Sequence, residues 1–340
     1  MPSDLRSAQQ PQRLIMYRLA HGGDSNAFAS DVHSGLSSKP KVLPPKYFYD
    51  ELGSALFEAI CRLPEYYLTR AESDLLGSYS KEIAGAIEGP VRLIELGSGS
   101  AEKTRYLIEA WLERQTELHY LPIDISDVSL ERSSAELLHS YPRLRITAYS
   151  ADYFTALAAL AGKEEGAPRR ERSVVLFLGS NIGNFNPEES RVFLREVRGM
   201  LRPGDALLMG ADLKKSRDIL EPAYDDALGV TAAFNLNLLA RINRELGGEF
   251  DIKSFQHRAI YNEPLGRVEM HLVSRAAQSV HVRGINLEAK FDAGESIQTE
   301  SSYKFDTGQL DALARETGFS LGKSWFDRAQ SFSFNLFAAV

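Results

Sequence analysis

Residues 91–100 read VRLIELGSGS, an apolar strand that runs into a Gly-x-Gly turn. The next stretch, AEKTRYLIEAWLE (101–113), has apolar residues at the spacing of an amphipathic helix. A strand, a glycine turn and a helix place backbone N–H groups and a helix N-terminus around a polar ligand. The stretch therefore predicts a strand–turn–helix unit of an α/β fold, with a ligand crevice where the strand ends.

The glycine turn lacks one feature of a dinucleotide site. Such a site reads G-x-G-x-x-G, but here Gly97 and Gly99 are followed by Glu102 at the third glycine position. The bulk and the negative charge of Glu102 both disfavour a pyrophosphate at the helix entrance. A nucleoside without phosphate fits better, and S-adenosylmethionine is the commonest of these. For these residues alone, an ordinary tight turn that binds nothing remains the alternative.

Two further strands are predicted to end in acidic residues. HYLPID (119–124) ends in Asp124, and LRITAYSAD (144–152) ends in Asp152, which Tyr153 follows. A carboxylate at the first strand end can accept hydrogen bonds from both ribose hydroxyls. An acid beside an aromatic ring suits the exocyclic amine and the flat face of an adenine. Each acid alone is more often a solvated loop residue, but three strand ends in order predict a cofactor crevice.

Composition excludes several classes of protein. The chain has 340 residues, 44% of them hydrophobic and 25% charged, which is enough for one large domain or two ordinary ones. A net charge of −7 and the lack of a long Lys and Arg run argue against a nucleic-acid partner. A single cysteine, Cys61, excludes an intrachain disulfide, and the seven histidines lack ligand spacing, so we expect no metal. With no stretch long enough to span a membrane, we expect a cytoplasmic monomer.

The order of predicted elements indicates four segments. Residues 1–42 are polar and predict an irregular arm, while 43–213 predict a helical segment followed by alternating strands and helices. This alternation is typical of a doubly wound parallel sheet. Residues 214–305 predict an inserted α+β domain, and 306–340 predict a return to the core through a helix and two antiparallel strands.

Two helix starts are predicted from capping residues. Thr69, with Glu72 three residues later, predicts a capping box. Asn186, followed by Pro187 and two glutamates, predicts the start of another helix.

Several blocks are more specific than the glycine turn. They are KYFYDELGSALFEAICRLPEYYLTRAE, ELGSGSAEKTR, FLGSNIGNFNPEE, VEMHL and TESSYKF. On these blocks the chain, over roughly residues 46–340, resembles the L-histidine Nα-methyltransferases of ergothioneine biosynthesis. The resemblance implies a class I methyltransferase sheet with an inserted substrate-binding domain, and S-adenosyl-L-methionine as cofactor. It implies trimethylation of the α-amino group of L-histidine to the betaine hercynine.

The resemblance also implies cofactor-binding positions. They match Gly97, Lys103, Asp124, Asp152 and Tyr153. Lys103 would face the methionine carboxylate, Asp124 the ribose and Asp152 the adenine amine.

The substrate-binding positions of the family are matched as well. They fall on Tyr66, Asn184, Tyr224, Met270, Glu300 and Ser302. Asn184 and Tyr224 would hold the amino-acid carboxylate. Tyr66, Glu300 and Ser302 would read the imidazole ring, with Met270 as an apolar wall beside it. Tyr49 and Gly179 match catalytic positions near the amine, where the tyrosine, a water or the glycine carbonyl would receive the proton.

The residue chemistry is consistent with that pocket. Glu300 and Ser302 are two apart in an extended stretch, so both face one side, and Ser301 between them should point away. A carboxylate and a hydroxyl can accept from and donate to the two imidazole nitrogens. An indole has no acceptor, which disfavours the main alternative, methylation of another amino acid or a tryptophan-derived amine on the same fold.

Other interpretations remain for single residues. Tyr66 could pack between helices, Met270 could lie in the core, Asn184 could serve a turn and Glu300 could be solvated. The rival from another class is a dehydrogenase or a nucleotide-binding module without catalysis. The missing third glycine counts against NAD.

Overall fold

The computed structural model describes residues 13–19, 25–164 and 170–340. The strands in these ranges are β1 (Leu14–Arg18), β2 (Lys41–Val42), β3 (Val91–Leu96), β4 (Leu118–Asp124), β5 (Leu144–Ser150), β6 (Arg172–Phe177), β7 (Ala206–Asp212), β8 (Phe255–Asn262), β9 (Arg267–Ser274), β10 (Gln278–Val282), β11 (Leu287–Phe291), β12 (Ser296–Tyr303), β13 (Phe319–Phe326) and β14 (Phe332–Ala339). The helices are α1 (Ser25–Ser37), α2 (Glu51–Ile60), α3 (Tyr67–Gly85), α4 (Thr104–Leu112), α5 (Asp127–Ser140), α6 (Tyr153–Glu164), α7 (Pro187–Met200), α8 (Arg217–Leu220), α9 (Val230–Leu246) and α10 (Thr307–Glu316).

The main sheet has the order β1-β5-β4-β3-β6-β7-β14-β13. The first six strands run parallel, and β14 and β13 close the sheet in antiparallel fashion. This confirms the predicted doubly wound α/β sheet. The order reverses between β3 and β6, because the chain winds outward from β3 on one side and continues from β6 on the other. Ligands of such sheets bind where the carboxyl ends of the strands meet this reversal.

The sheet is covered on both faces. Val174 and Val175, neighbours on β6, belong to two different apolar clusters, as the alternation of side chains in a strand requires. Helices α3, α4 and α5 contribute to one cluster, and α6, α7 and α10 to the other. Burial on both faces explains the continuous apolar run in β6.

A second sheet carries the other half of the site. Its order is β2-β12-β9-β8, and β10 and β11 form a separate antiparallel pair. A third apolar cluster joins α1, α2 and α9 to this sheet. The predicted insertion over residues 214–305 thus supplies three of the four strands of the second sheet.

The predicted irregular arm over residues 1–42 is wrong where the structure describes it. Strand β1 pairs with β5 at the edge of the main sheet, with Leu14 opposite Ile146. Strand β2 pairs in parallel with β12. Between them, α1 buries Phe28, Val32 and Leu36 at a spacing of four. This spacing is that of one helix face, and the polar residues around it concealed the pattern.

One predicted helix start is confirmed and the other is wrong. Asn186 Oδ1 accepts from the N–H groups of Glu188 and Glu189, and the Glu189 carboxylate accepts from the N–H of Asn186. Helix α3, however, begins at Tyr67 instead of after Thr69. Glu72 consequently lies inside the helix, with its side chain buried.

Two features are absent from the described residues. No helix combines the length and the apolar character needed to cross a bilayer. No group of three or more His, Cys, Asp and Glu side chains is arranged to hold a metal ion.

Candidate active site

The glycine turn after β3 forms the floor of a crevice at the carboxyl edge of the main sheet. Gly97 has φ of +79°, and its N–H donates to the carbonyl of Ile123 at the end of β4 over 2.8 Å. A Cβ at Gly97 would lie 2.7 Å from the hydroxyl oxygen of Tyr153. Only glycine therefore allows the turn and the start of α6 to approach this closely.

Asp124 lies directly beside the turn. Its Oδ2 accepts from the N–H of Gly99 over 2.8 Å, and its Oδ1 accepts from the N–H of Ser126 over 3.0 Å. Burial raises the pKa of Asp124, and these backbone donors offset part of that rise. The structure thus fixes this carboxylate at the crevice, where the sequence places a ribose acceptor.

Asp152 and Tyr153 follow β5 at the same edge. The Asp152 carboxylate accepts from the N–H and from the hydroxyl of Thr155, over 3.0 and 2.7 Å. Burial alone would raise the pKa of Asp152, but the Thr155 hydrogen bonds outweigh burial and hold it below its usual value. The ring of Tyr153 packs edge-on against Phe177, at 5.7 Å between centroids.

Lys103 has a partner that the sequence did not predict. Its ammonium is paired with the carboxylate of Glu72 on α3, whose other oxygen accepts from the N–H of Gly179 over 2.6 Å. Burial lowers the pKa of Lys103, but the charge of Glu72 outweighs it, so the pKa is raised. Glu72 therefore ties the start of α4 to the turn after β6. The capping pattern concealed this, since it assigned Glu72 to a helix end.

A cavity opens next to the crevice, between the two sheets. It is lined by all eight residues that the sequence assigns to the substrate and the amine, which are Tyr49, Tyr66, Gly179, Asn184, Tyr224, Met270, Glu300 and Ser302. They come from segments far apart in the chain. Only the folded arrangement brings them together.

One close approach places Asn184 in the cavity wall. It ends the 3₁₀ turn Asn181–Asn184, which packs against β12. A Cβ at Gly183 would lie 2.7 Å from the carbonyl oxygen of Tyr303. Because glycine is present there, the turn reaches β12 and Asn184 lies on the same cavity as Ser302.

Strand β12 presents Glu300 and Ser302 to the cavity. Glu300 is opposite Met270 on β9, so the acid and the thioether share one wall. Ser301 is not among the lining residues and accepts a hydrogen bond from the side chain of Gln298. Burial raises the pKa of Glu300 to about 7, and the nearby Lys304 lowers it in part. Near neutral pH this carboxyl can accept or donate a hydrogen bond.

Aromatic rings form the opposite wall. Tyr49 packs edge-on against Phe57 at 5.6 Å and against Phe234 at 5.8 Å, and Tyr66 packs against Tyr224 at 6.4 Å. Burial raises the pKa of Tyr49 and of Tyr66 well above the usual value, so both phenols are neutral. The faces of such rings stabilise a cation.

Sequence reasoning missed other residues of the cavity wall. These are Phe57, Ile60, Leu68, Ser180, Asn181, Ala223, Thr231 and Phe234. Asn181 is the most informative of them. Its side chain lies 3.4 Å from where a Cβ of Gly97 would stand and 3.6 Å from where one of Gly179 would stand. It therefore marks the point where the crevice meets the cavity. Its position in the block FLGSNIGNFNPEE was the available signal.

Comparison with known proteins agrees with this geometry. The family described as histidine-specific methyltransferases, SAM-dependent, matches residues 28–339, from α1 to β14. The chain belongs to this family. The match covers the second sheet and every strand of the main sheet except β1, so the predicted resemblance is confirmed, and the family depends on S-adenosylmethionine.

Individual relatives of this histidine-specific methyltransferase family are similar along nearly the whole chain. Histidine N-alpha-methyltransferase of Mycolicibacterium smegmatis is 42% identical, covering 94% of this chain and 97% of the relative. The protein of the same description from Mycobacterium tuberculosis is 42% identical, covering 92% and 95%. Ergothioneine biosynthesis protein 1 of Schizosaccharomyces pombe is 29% identical over 84% of this chain but only 37% of its own length.

Proposed function

We propose that this protein transfers methyl groups from S-adenosylmethionine to the α-amino group of L-histidine. Three transfers give the trimethylated betaine hercynine, the first step of ergothioneine biosynthesis. One observation carries the proposal: a single cavity is lined by the carboxyl of Glu300 and the hydroxyl of Ser302, both on β12, and by two uncharged hydrogen-bond donors from other segments, Asn184 and Tyr224. Family membership and the relatives' descriptions support the same substrate.

The cofactor residues fit a phosphate-free adenosyl group. Gly97 has no room for a side chain beside Tyr153, and Asp124 and Asp152 offer hydrogen-bond acceptors at the ends of two adjacent strands, β4 and β5. Lys103 brings a positive charge to the same edge, held by Glu72. S-adenosylmethionine would supply a methyl group that is already activated, so the chain's own task is to position the amine and exclude water.

Substrate orientation follows from two sets of side chains. Asn184 and Tyr224 are uncharged donors, which can bind a carboxylate without adding positive charge next to a sulfonium. Glu300 and Ser302 meet the two nitrogens of the imidazole ring. The α-amino group then points toward Gly179 and the crevice.

The amine must be neutral to attack. Its ordinary pKa is about 8, so a fraction is neutral near pH 7, and a neighbouring positive charge lowers that pKa further. Because Tyr49 is a neutral phenol, it cannot act as a strong base. We propose that the hydroxyl of Tyr49 relays the ammonium proton to water, while the carbonyl of Gly179 accepts a hydrogen bond from the amine and orients it. The neutral amine would then take the methyl group with S-adenosylhomocysteine as the leaving group, and the aromatic wall would stabilise the methylated ammonium.

An indole amine is the alternative substrate on the same fold. Its ring offers one N–H and no acceptor, so either Glu300 or Ser302 would lose a partner. A buried polar group without a partner costs about 1–3 kcal/mol, which is roughly tenfold or more in affinity.

Mass spectrometry of reaction mixtures tests the proposal. The purified protein is incubated with S-adenosylmethionine and either L-histidine or L-tryptophan. We expect mono-, di- and trimethylated histidine, with fragmentation placing every methyl group on the α-nitrogen, and little tryptophan product. Methylation of an imidazole nitrogen, or faster turnover of tryptophan than of histidine, would contradict the proposed substrate.

A further inference from the structure

A buried ion cluster lies behind the cavity wall. Asp212, at the end of β7, is fully buried and contacts two lysines. Lys304 Nζ is 2.7 Å from Asp212 Oδ2, and Lys215 Nζ is 2.6 Å from Asp212 Oδ1. The hydroxyl of Tyr67 also donates to this carboxylate over 2.8 Å. Burial of a charge is unfavourable unless the charge has a partner of opposite sign and its hydrogen bonds are made. None of these residues lines the cavity.

Lys304 connects the cluster to the cavity. Its ammonium donates to the hydroxyl oxygen of Tyr224 over 2.7 Å and to Oγ of Ser302 over 2.9 Å. An ammonium has three N–H donors and no acceptor. With Asp212 as the third partner, every donor is used, and both hydroxyl oxygens act as acceptors toward Lys304.

This arrangement restricts the hydroxyl protons. The oxygens of Tyr224 and Ser302 are 2.8 Å apart, so one of the two protons lies between them. The other proton is left for a ligand in the cavity. A phenol is more acidic than an alcohol, and a carboxylate is a stronger acceptor than a hydroxyl. With a carboxylate present, the lower-energy arrangement therefore has Ser302 donating to Tyr224 and Tyr224 donating to the carboxylate.

We propose that Lys304 is a positioning residue for the substrate carboxylate, acting through the hydroxyl of Tyr224. The ammonium keeps the Tyr224 oxygen in the role of acceptor on one side, so that its proton points into the cavity. A hydroxyl that accepts from a cation is itself a stronger donor, because neighbouring hydrogen bonds polarise one another. This inference rests on the proposed function, in which Tyr224 meets the carboxylate of histidine.

Lys215 provides a matched comparison within the same cluster. It contacts the same aspartate, the hydroxyl and ring of Tyr67 and the carbonyl of Leu213, and none of these residues lines the cavity. Burial lowers the pKa of Lys215 to about 8. Burial also lowers the pKa of Lys304, but Asp212 and Tyr224 outweigh it and raise that pKa above its usual value. Of the two lysines, Lys304 is thus the one that contacts residues of the cavity wall.

The test compares ligands with and without a carboxylate. Lys304→Met and Lys215→Met are each titrated calorimetrically with L-histidine and with L-histidinamide, in the presence of S-adenosylhomocysteine. In Lys304→Met we expect the Kd for histidine to rise roughly tenfold to a hundredfold, with little change for histidinamide. Lys215→Met should retain the wild-type ratio of the two affinities. Asp212 keeps one lysine in either variant, which favours retention of the fold.

A double-mutant cycle with Tyr224 tests the inference even if Lys304→Met alone perturbs the fold. Tyr224→Phe should by itself remove the preference for histidine over histidinamide, and Lys304→Met in that background should add no further selective loss. Equal losses for both ligands, or equal behaviour of the two lysine variants, would overturn the role of Lys304. A preference that survives Tyr224→Phe would overturn it as well. If the wild-type protein neither binds nor methylates histidine, it is the proposed function that fails.

Discussion

Glu300 lies in the cavity wall, and burial raises the pKa of its carboxyl to about 7. Near neutral pH it exists in both protonation states. Whichever nitrogen of a neutral imidazole faces it, the carboxyl has a matching role as acceptor or donor. An indole can use only the acceptor form and has no acceptor of its own, so Glu300 and Ser302 together select the substrate in the proposed reaction.

Replacement of this acid by its amide tests that choice. In Glu300→Gln the side chain keeps its shape but cannot ionise, so a charge-assisted hydrogen bond to the imidazole becomes a neutral one. The KM for histidine should therefore rise by up to roughly tenfold, as for a loss of about 1 kcal/mol. Initial rates measured against each substrate check this. The KM for S-adenosylmethionine should not change, and the dependence of histidine KM on pH near 7 should weaken.

Ser301→Ala is the matched control for this prediction. Ser301 is the neighbour of Glu300 on β12 but contacts Gln298 outside the cavity. It should leave both KM values unchanged. The prediction is contradicted if the KM for histidine rises similarly in both variants, or if Glu300→Gln raises the KM for S-adenosylmethionine as much as that for histidine. Either result would mean that the substitution disturbs β12 as a whole.

At the scale of elements, the start of α7 is an independent test of local structure. Asn186→Ala removes the acceptor for two N–H groups in the first turn. Loss of such a cap typically lowers the free energy of unfolding by about 1 kcal/mol, which urea denaturation measures. Glu196→Ala, on an exposed position of the same helix, should change it by less than about 0.5 kcal/mol. A smaller effect at the cap than at the control would refute the contribution of the capping box.

The sequence predicted those elements whose signals are local. The apolar run of β6 and the cap at Asn186 both lie within a few residues of the structure they determine. Strand β1 gave no such signal, because LIMYR is short and its partner β5 lies far along the chain. Helix α1 had a helical spacing, but its apolar face packs against Tyr47 and against β2 and β11, and the distant β11 is a partner that no local pattern reveals.

The same distinction applies to the candidate site. The cavity residues were reached through resemblance over whole blocks, and the structure brings all eight to one cavity. Glu72 and Lys304 were missed, because each is explained by a partner distant in sequence. Lys304 stands between Tyr303 and Phe305, and such an alternation is typical of a strand whose lysine points into solvent. Its burial makes sense only once β7 places Asp212 beside it.

At the scale of the whole molecule, buried ionisable groups give stability opposing dependences on pH. Burial raises the pKa of Glu95, on β3 beneath the crevice, to about 7, although hydrogen bonds from Tyr120 and Thr104 offset part of the rise. Burial, with Arg145 and Arg92 nearby, lowers the pKa of His119 to about 4. As pH rises from about 4 to 6.5, His119 increases the free energy of unfolding, because the unfolded chain binds more protons there. Glu95 decreases the free energy of unfolding as pH rises, so the two effects partly cancel in the wild-type protein.

Comparison of Glu95→Gln with the wild type isolates the glutamate. Its pKa is 4.5 in the unfolded chain and about 7 in the folded one, so between these values the folded protein binds more protons. Stability therefore falls as pH rises through that window, by at most about 3 kcal/mol. The variant lacks this loss, so its stability relative to the wild type should increase between pH 5 and pH 8, as measured by guanidinium unfolding at both values. Glu196→Gln, on the exposed face of α7, should show the same difference from the wild type at both pH values. A constant difference for Glu95→Gln as well would mean that Glu95 is ionised in the folded protein throughout this range.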